Sequence, residues 1–195
     1  TWDVIWQGAW PKLTNMNSKG RSQFLESFIQ TFLERDIRTL GNIEKLSEFK
    51  KFIKALAIRT GQELRINKIS ELTGVTEPTV KRWLGIAEAS GLIYQLKPFS
   101  TNATKTLTKS PNLYFCDTGL AAYLCGFSTA EEMQRYTSAG AFFETFVITE
   151  ILKSWRHNGL EPDLYYYRDA KKQSEIDLLI HANGMYYPVE IKMSE

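Results

Sequence analysis

Apolar side chains recur at helical spacing in KKFIKALAIRTG (50–61), where Phe52, Ile53, Leu56 and Ala57 share a face and Gly61 closes the run. A shorter helix is predicted over INKISELTG (66–74), with Ile66, Ile69 and Leu72 on one side and Gly74 at its end. Val75 fills the turn, and Thr76 is placed to cap a third helix opened by Glu77 and Pro78. In that helix Val80, Trp83, Leu84 and Ala87 face inward, while Thr79, Lys81 and Arg82 point elsewhere. A helix, a tight turn and a helix with cations near its start make the helix-turn-helix arrangement. LIYQLKPF (92–99) and NLYFCD (112–117) read as two strands about a polar loop that carries Lys105 and Lys109. Such a wing can lie along a phosphate backbone. Thr79, Lys81, Arg82, Lys105 and Lys109 are therefore the candidate DNA contacts. The same fold also serves for protein packing inside larger assemblies.

The C-terminal run EIDLLIHANGMYYPVEIK (175–192) alternates on both sides of Asn183-Gly184, a favoured two-residue hairpin turn. That turn sets Ala182 opposite Met185, Leu178 opposite Val189, Asp177 opposite Glu190 and Glu175 opposite Lys192. One face then carries Ile176, Leu178, Ile180, Met185, Tyr187, Val189 and Ile191; the other groups Glu175, Asp177, Glu190 and Lys192 at one end. Like charges directly opposite each other destabilise a sheet, and a divalent cation between Asp177 and Glu190 removes that cost. Hard oxygen ligands suit Mg²⁺ or Mn²⁺. Lys192, on the same face, is placed to position or deprotonate an attacking water.

AFFETFVITEILKSW (141–155) has a helical pattern in which Glu144 falls within the apolar stripe beside Ile148, Ile151 and Trp155. Thr149, Glu150 and Lys153 fall on the other side. A carboxylate aimed at a core needs a partner. Either Glu144 joins Asp177 and Glu190 at a metal, or it pairs with Arg168 or Lys192 and the hairpin carboxylates form a solvated face.

The 195 residues carry 24 basic and 22 acidic side chains, too even a balance to mark a nucleic-acid binder by itself. The distribution says more. Residues 50–110 hold eleven basic and four acidic groups, a net of +7, and residues 111–195 hold seven and twelve, a net of −5. Two modules with different tasks are expected. The two cysteines, Cys116 and Cys125, lie in apolar surroundings and are expected as buried free thiols, not a disulfide framework. His157 and His181 share no zinc spacing with them. Asp117 is placed to cap a helix in CDTGLAAYL, and Trp2, Trp6 and Trp10 are expected to face a further domain. No apolar run nears the roughly 18 residues of a membrane span, and no signal peptide opens the chain, so a cytoplasmic location is expected. A start without Met points to a fragment.

A helix Glu, then an Asp, then Glu-x-Lys (Glu144, Asp177, Glu190, Lys192) resembles the PD-(D/E)XK nuclease superfamily, including archaeal Holliday-junction resolvases. LERDI (33–37), GVTEPTVKRWLGIAEASGLIYQLKPF (74–99), KSPNLYFCDTGLAAYL (109–124), GAFFETFVITEIL (140–152) and YYYRD (165–169) extend the likeness. Together with the hairpin they make the whole chain similar to the C-terminal part of prokaryotic AAA+ ATPases with an uncharacterised C-terminal domain. The resemblance implies an α+β or α/β architecture in three parts. Residues 1–49 end an ATPase lid, with GAWPKL (8–13) similar to a Gly-Gly-x-Pro segment. Residues 50–125 form a winged helix. Residues 126–195 form a restriction-endonuclease-like mixed sheet flanked by helices, cut short after Lys192. It implies catalytic roles for Glu144, Asp177, Glu190 and Lys192, a metal on the three acids, DNA as a partner, and ATP bound only in an upstream domain through which the protein oligomerises. No G-x-x-x-x-G-K-[ST] loop is present here. The alternative is a non-catalytic DNA-binding or regulatory tail that docks on the ATPase.

Overall fold

The computed structural model describes residues 1–37, 46–100, 110–169 and 174–193. Lys105 and Lys109 lie outside the described residues.

A short helix α1 (Trp2–Gln7) and a 3-10 turn (Pro11–Leu13) lead into α2 (Ser18–Thr31), which continues as a π-helical turn (Phe32–Ile37). Helix α3 (Leu46–Ile58), the two-residue strand β1 (Gln62–Glu63), α4 (Ile66–Thr73) and α5 (Glu77–Ala89) follow. Strands β2 (Ile93–Pro98) and β3 (Asn112–Phe115) come next. Helices α6 (Thr118–Cys125), α7 (Ala130–Gln134) and the long α8 (Ala139–His157) precede β4 (Asp163–Asp169), β5 (Ser174–Ala182) and β6 (Met185–Val189). The fold is mixed α+β. Among the described residues no helix is long and apolar enough to cross a membrane.

One six-stranded mixed sheet, in the order β1-β3-β2-β4-β5-β6, runs through the molecule. Strands β2 and β3 are antiparallel, and β2 then joins β4 in parallel through Lys97–Tyr165 and Pro98–Tyr166. The strands on either side of residue 126 therefore share a sheet, a pairing that the sequence pattern does not announce. Strand β3 is buried on both faces. Leu113 and Phe115 enter a large core with helices α1–α5, whereas Tyr114 enters a smaller core with Leu96, Leu164 and Leu178. Helix α8 belongs to both: Phe142 packs in the first, Ile148 and Leu152 in the second. Contact on two sides explains why Thr149, expected to face outward, is buried and donates its hydroxyl hydrogen bond to the Thr145 carbonyl (2.7 Å).

The hairpin turn forms as expected, with positive φ at Asn183 (52°) and Gly184 (72°). The register matches from Ala182–Met185 to Leu178–Val189 and then stops. In such a hairpin every second pair is hydrogen-bonded, which leaves the nitrogen of Pro188 facing away from β5. The exposed edge thereby loses a donor at no cost to the ladder. Met185 and Tyr187, expected in the core, are exposed at the hairpin tip on the edge strand β6; Leu178, Ile180, Val189 and Ile191 do reach the smaller core. Leu72 is likewise exposed, its expected inward place on α4 being taken by Thr73.

The three N-terminal tryptophans pack on this chain itself. Trp2 meets Phe143, Trp10 meets Phe24 and Phe28, and Trp6 donates to the Phe127 carbonyl (3.0 Å). Buried Arg21 lies over the Trp6 ring and donates to the carbonyls of Trp6 (2.6 Å) and Gly119 (2.8 Å). Asp117 caps α6 through the Leu120 amide (2.7 Å) and accepts from Ala9 N–H (2.8 Å) with its other oxygen. A β-carbon at Gly119 would overlap the Gln7 carbonyl, so only glycine allows this approach.

Gly119→Ala is expected to lower stability by about 1–3 kcal/mol through overpacking. Gly85→Ala, in the middle of α5 with nothing within 4 Å of an added β-carbon, is expected to raise it by up to ~1 kcal/mol. Thermal melts of the two variants beside the parent check both signs.

Candidate functional site

Two groups of side chains carry chemistry. The first lies on α4, the turn after it and α5. Helix α4 ends at Gly74 in the left-handed conformation, and the Ser70 hydroxyl donates to the Val75 carbonyl (2.6 Å), which fixes the turn. Thr76 occupies the N-cap position of α5, but its hydroxyl meets that of Thr79 (3.0 Å) instead of a backbone amide. Val80, Trp83, Leu84 and Ala87 are all buried, and Trp83 is held edge-on by Phe49 (5.2 Å) and Phe52 (5.4 Å). This anchoring fixes the opposite face, where Pro78, Lys81, Arg82 and Gly85 are exposed. No ion pair ties Lys81 or Arg82 to another described residue, whereas Lys68 on α4 pairs with Glu71 (2.9 Å). Thr79 is half-buried, its hydroxyl engaged within the turn.

The second group gathers where α8, β3 and β5 meet. Tyr114 donates its phenolic hydrogen bond to Glu144 Oε1 (2.6 Å), and Asn112 lies next to it, with Nδ2 3.5 Å from the phenol oxygen. The Asn112 Oδ1 is buried without a partner. Burial pushes the Glu144 carboxyl up to about 7; the Tyr114 hydrogen bond opposes this, the nearby charges of Asp177 and Glu175 add to it, and Arg168 opposes it. Burial and the Glu144 charge also hold the Tyr114 phenol far above its ordinary range. Tyr114 and Asn112 were not singled out by the sequence pattern; the available signal is a polar-x-aromatic alternation in a strand with both faces buried.

An irregularity in β5 falls at Asp177. Tyr165 pairs with Leu179 and Tyr167 with Ile176, so Asp177 and Leu178 together oppose the single residue Tyr166. Such a bulge re-aims a side chain. The Asp177 carboxylate accepts from the Ile191 amide (2.7 Å) just past the end of β6. The Asp177–Glu190 and Glu175–Lys192 pairs expected from the hairpin pattern do not form, because the ladder ends at Val189. Glu190 pairs with Lys192 (3.4 Å) at an exposed place, and Glu175 pairs with Arg168, which also approaches Glu63 (3.9 Å). Glu144 thus has Tyr114 as its hydrogen-bond partner, not Arg168 or Lys192.

Glu144 and Asp177 interact through charge, while each has its own hydrogen-bond partner, and Glu190 and Lys192 pair with each other. Among the described residues no three His, Cys, Asp or Glu side chains are grouped to hold a metal ion. Cys116 and Cys125 are free thiols, each pushed by burial up to about 11.

A carboxyl raised in the fold binds more protons folded than unfolded. The stability it confers is present in full below the ordinary value of 4.5 and is lost as pH rises through about 7. Glu144→Gln keeps an acceptor for Tyr114 and is expected to flatten that decline, with a higher melting temperature than the parent above pH 7. Melting temperature measured across this range checks it; parallel curves for parent and variant contradict it.

Residues 1–131 match a family model described as a domain of unknown function (DUF8612), and residues 139–195 match a domain of unknown function (DUF4143). The uncharacterised proteins Mb2031c of Mycobacterium bovis and Rv2008c of Mycobacterium tuberculosis are each 28% identical over 192 residues, or 97% of this chain. The chain spans 42% of the length of these curated relatives. No solved structure matches it. The first family model covers well over half of the sequence, from the tryptophan-rich start through α4, α5, β2 and β3 to α7, and the chain belongs to that family, the domain of unknown function DUF8612.

Proposed function

We propose that this chain is a duplex-DNA-binding winged-helix region joined to a nuclease-like module, and that it forms the C-terminal part of a longer AAA+ ATPase. The observation that carries the reading is the exposed face of α5, where Lys81 and Arg82 stand unpaired among the described residues on a helix anchored by four buried side chains. Cations there meet phosphates, and the first turn of such a helix reaches base edges in the major groove. The basic balance of residues 50–110 supports contact made mainly through charge. The domain matched at 139–195 is commonly found at the C-terminus of AAA-type ATPases, which supports the larger setting. ATP would bind and turn over outside this chain, in the cytoplasm, and assembly would follow from the ATPase.

Replacing Lys81 and Arg82 together by Ala is expected to weaken duplex binding at low salt. The log–log salt slope should fall by about 0.9 for each phosphate contact removed. Fluorescence anisotropy with a labelled duplex at several salt concentrations measures both. Binding equal to the parent's assigns the contact elsewhere.

A second reading, a divalent-cation site for phosphodiester hydrolysis, is favoured by the partly buried Glu144 carboxyl, on which the like charge of Asp177 acts. These two carboxylates would hold Mg²⁺ or Mn²⁺, which supplies charge stabilisation and a bound water. Glu190 and Lys192 would have to exchange their mutual ion pair for the site. Calorimetry with Mn²⁺ is expected to show binding in the parent that disappears in both Asp177→Asn and Glu144→Gln. Absence of binding in the full-length protein leaves the DNA-binding tail as the reading.

A further inference from the structure

We propose that the cavity between the N-terminal segment, the wing and α8 is a binding site for a flat, uncharged, ring-containing small molecule. The space has a volume of about 490 Å³, within the range of small-molecule sites. One wall is a continuous run of rings: Trp10 lies 4.7 Å from Phe28, and Phe28 stacks on Phe32 at 5.8 Å and 18°. Leu92 and Leu120, both buried side chains, also line it. Stacked and edge-on aromatic surfaces favour a planar partner.

The polar groups of the lining argue for the absence of charge on the occupant. Both oxygens of Asp117 already accept backbone hydrogen bonds, from Leu120 and Ala9. The Ser90 hydroxyl donates to the Ala87 carbonyl (3.0 Å), and Lys153 is neutralised by Glu150 (2.5 Å). Burial keeps the Cys116 thiol protonated at neutral pH. A ligand that brought its own charge or strong donors would leave them unpaired, whereas an apolar ring system loses nothing on entry. Because the lining comes from the N-terminal segment, the helix-turn-helix turn into β2, and α8, an occupant touches all three parts and stabilises their arrangement by linkage.

The neutral fluorophore N-phenyl-1-naphthylamine is the probe. It should bind the intact chain saturably at one site and raise the melting temperature. Its sulfonated relative, 1-anilinonaphthalene-8-sulfonate, should bind at least tenfold more weakly, and Leu120→Trp, which fills the cavity, should weaken the neutral probe at least tenfold. In a Cys125→Ser background, saturating neutral probe should slow the reaction of Cys116 with a disulfide reagent at least fivefold, a readout that does not depend on the filled variant folding. Failure of the neutral probe to saturate, equal binding of the sulfonate, undiminished binding by a folded Leu120→Trp, or an unprotected Cys116 thiol each overturns the assignment.

Discussion

Burial of β3 on both faces is the constraint on which the rest of the structure depends. Four residues, Asn112–Phe115, separate the larger core from the smaller one and leave no side of the strand to solvent. Every backbone group in such a strand must find a partner. Beyond β1 and β2, the strand recruits Thr60: its hydroxyl accepts from the Phe115 amide (3.0 Å) and lies 2.9 Å from the Thr145 hydroxyl on α8, which itself donates to Ala141 (2.6 Å). A buried chain of hydroxyls therefore ties the strand to the helix that carries Glu144. Since Tyr114 leaves the opposite side of the same strand, the Tyr114–Glu144 hydrogen bond is fixed by the β2–β3 pairing.

A second constraint holds the N-terminal segment. Arg21 is buried, and desolvation pulls its guanidinium down to about 10 against the nearby charge of Asp117. It remains charged at neutral pH, so its burial must be offset by two carbonyls, the Trp6 ring and that carboxylate. Losing any one of these exposes a buried cation to an incomplete shell. The acceptors come from α1, α6 and the turn before α6, and the cation thereby orders elements about a hundred positions apart in sequence.

Local patterns carried the reading of α5 and the hairpin because their determinants lie within a few residues of each other. Val80, Trp83, Leu84 and Ala87 are inward by helical period alone, and Asn183-Gly184 fixes pairing down to Leu178–Val189 by turn geometry. What the pattern could not supply is non-local. The parallel junction of β2 with β4 joins segments more than sixty residues apart. The burial of Thr149 follows from a helix shared by two cores. The bulge opposite Tyr166 changes the aim of Asp177 although period-two alternation places it with Glu190. The tryptophans at 2, 6 and 10, expected to face a further domain, instead meet Phe24, Phe28, Phe127 and Phe143 of this chain, partners that only the fold brings within reach.

The bulge also changes the electrostatic problem posed by the hairpin. Continued regularly, the ladder would set Asp177 against Glu190, and a cation would be needed to offset their repulsion. Instead the ladder ends at Leu178–Val189, Asp177 takes the Ile191 amide, and Glu190 takes Lys192. Each charge on the hairpin end has a partner within the chain, so no cation is required to hold the sheet. Glu144 keeps a different cost, because its place is partly buried and the carboxylates nearest to it are of like sign. That cost is not imposed by β5–β6 pairing, since removing the charge at position 144 leaves the ladder, the bulge and the Asp177–Ile191 bond as they are. A charge whose burial the fold does not need is what a site for a ligand or proton requires, and it separates the Glu144 end of the sheet from the neutralised hairpin beside it.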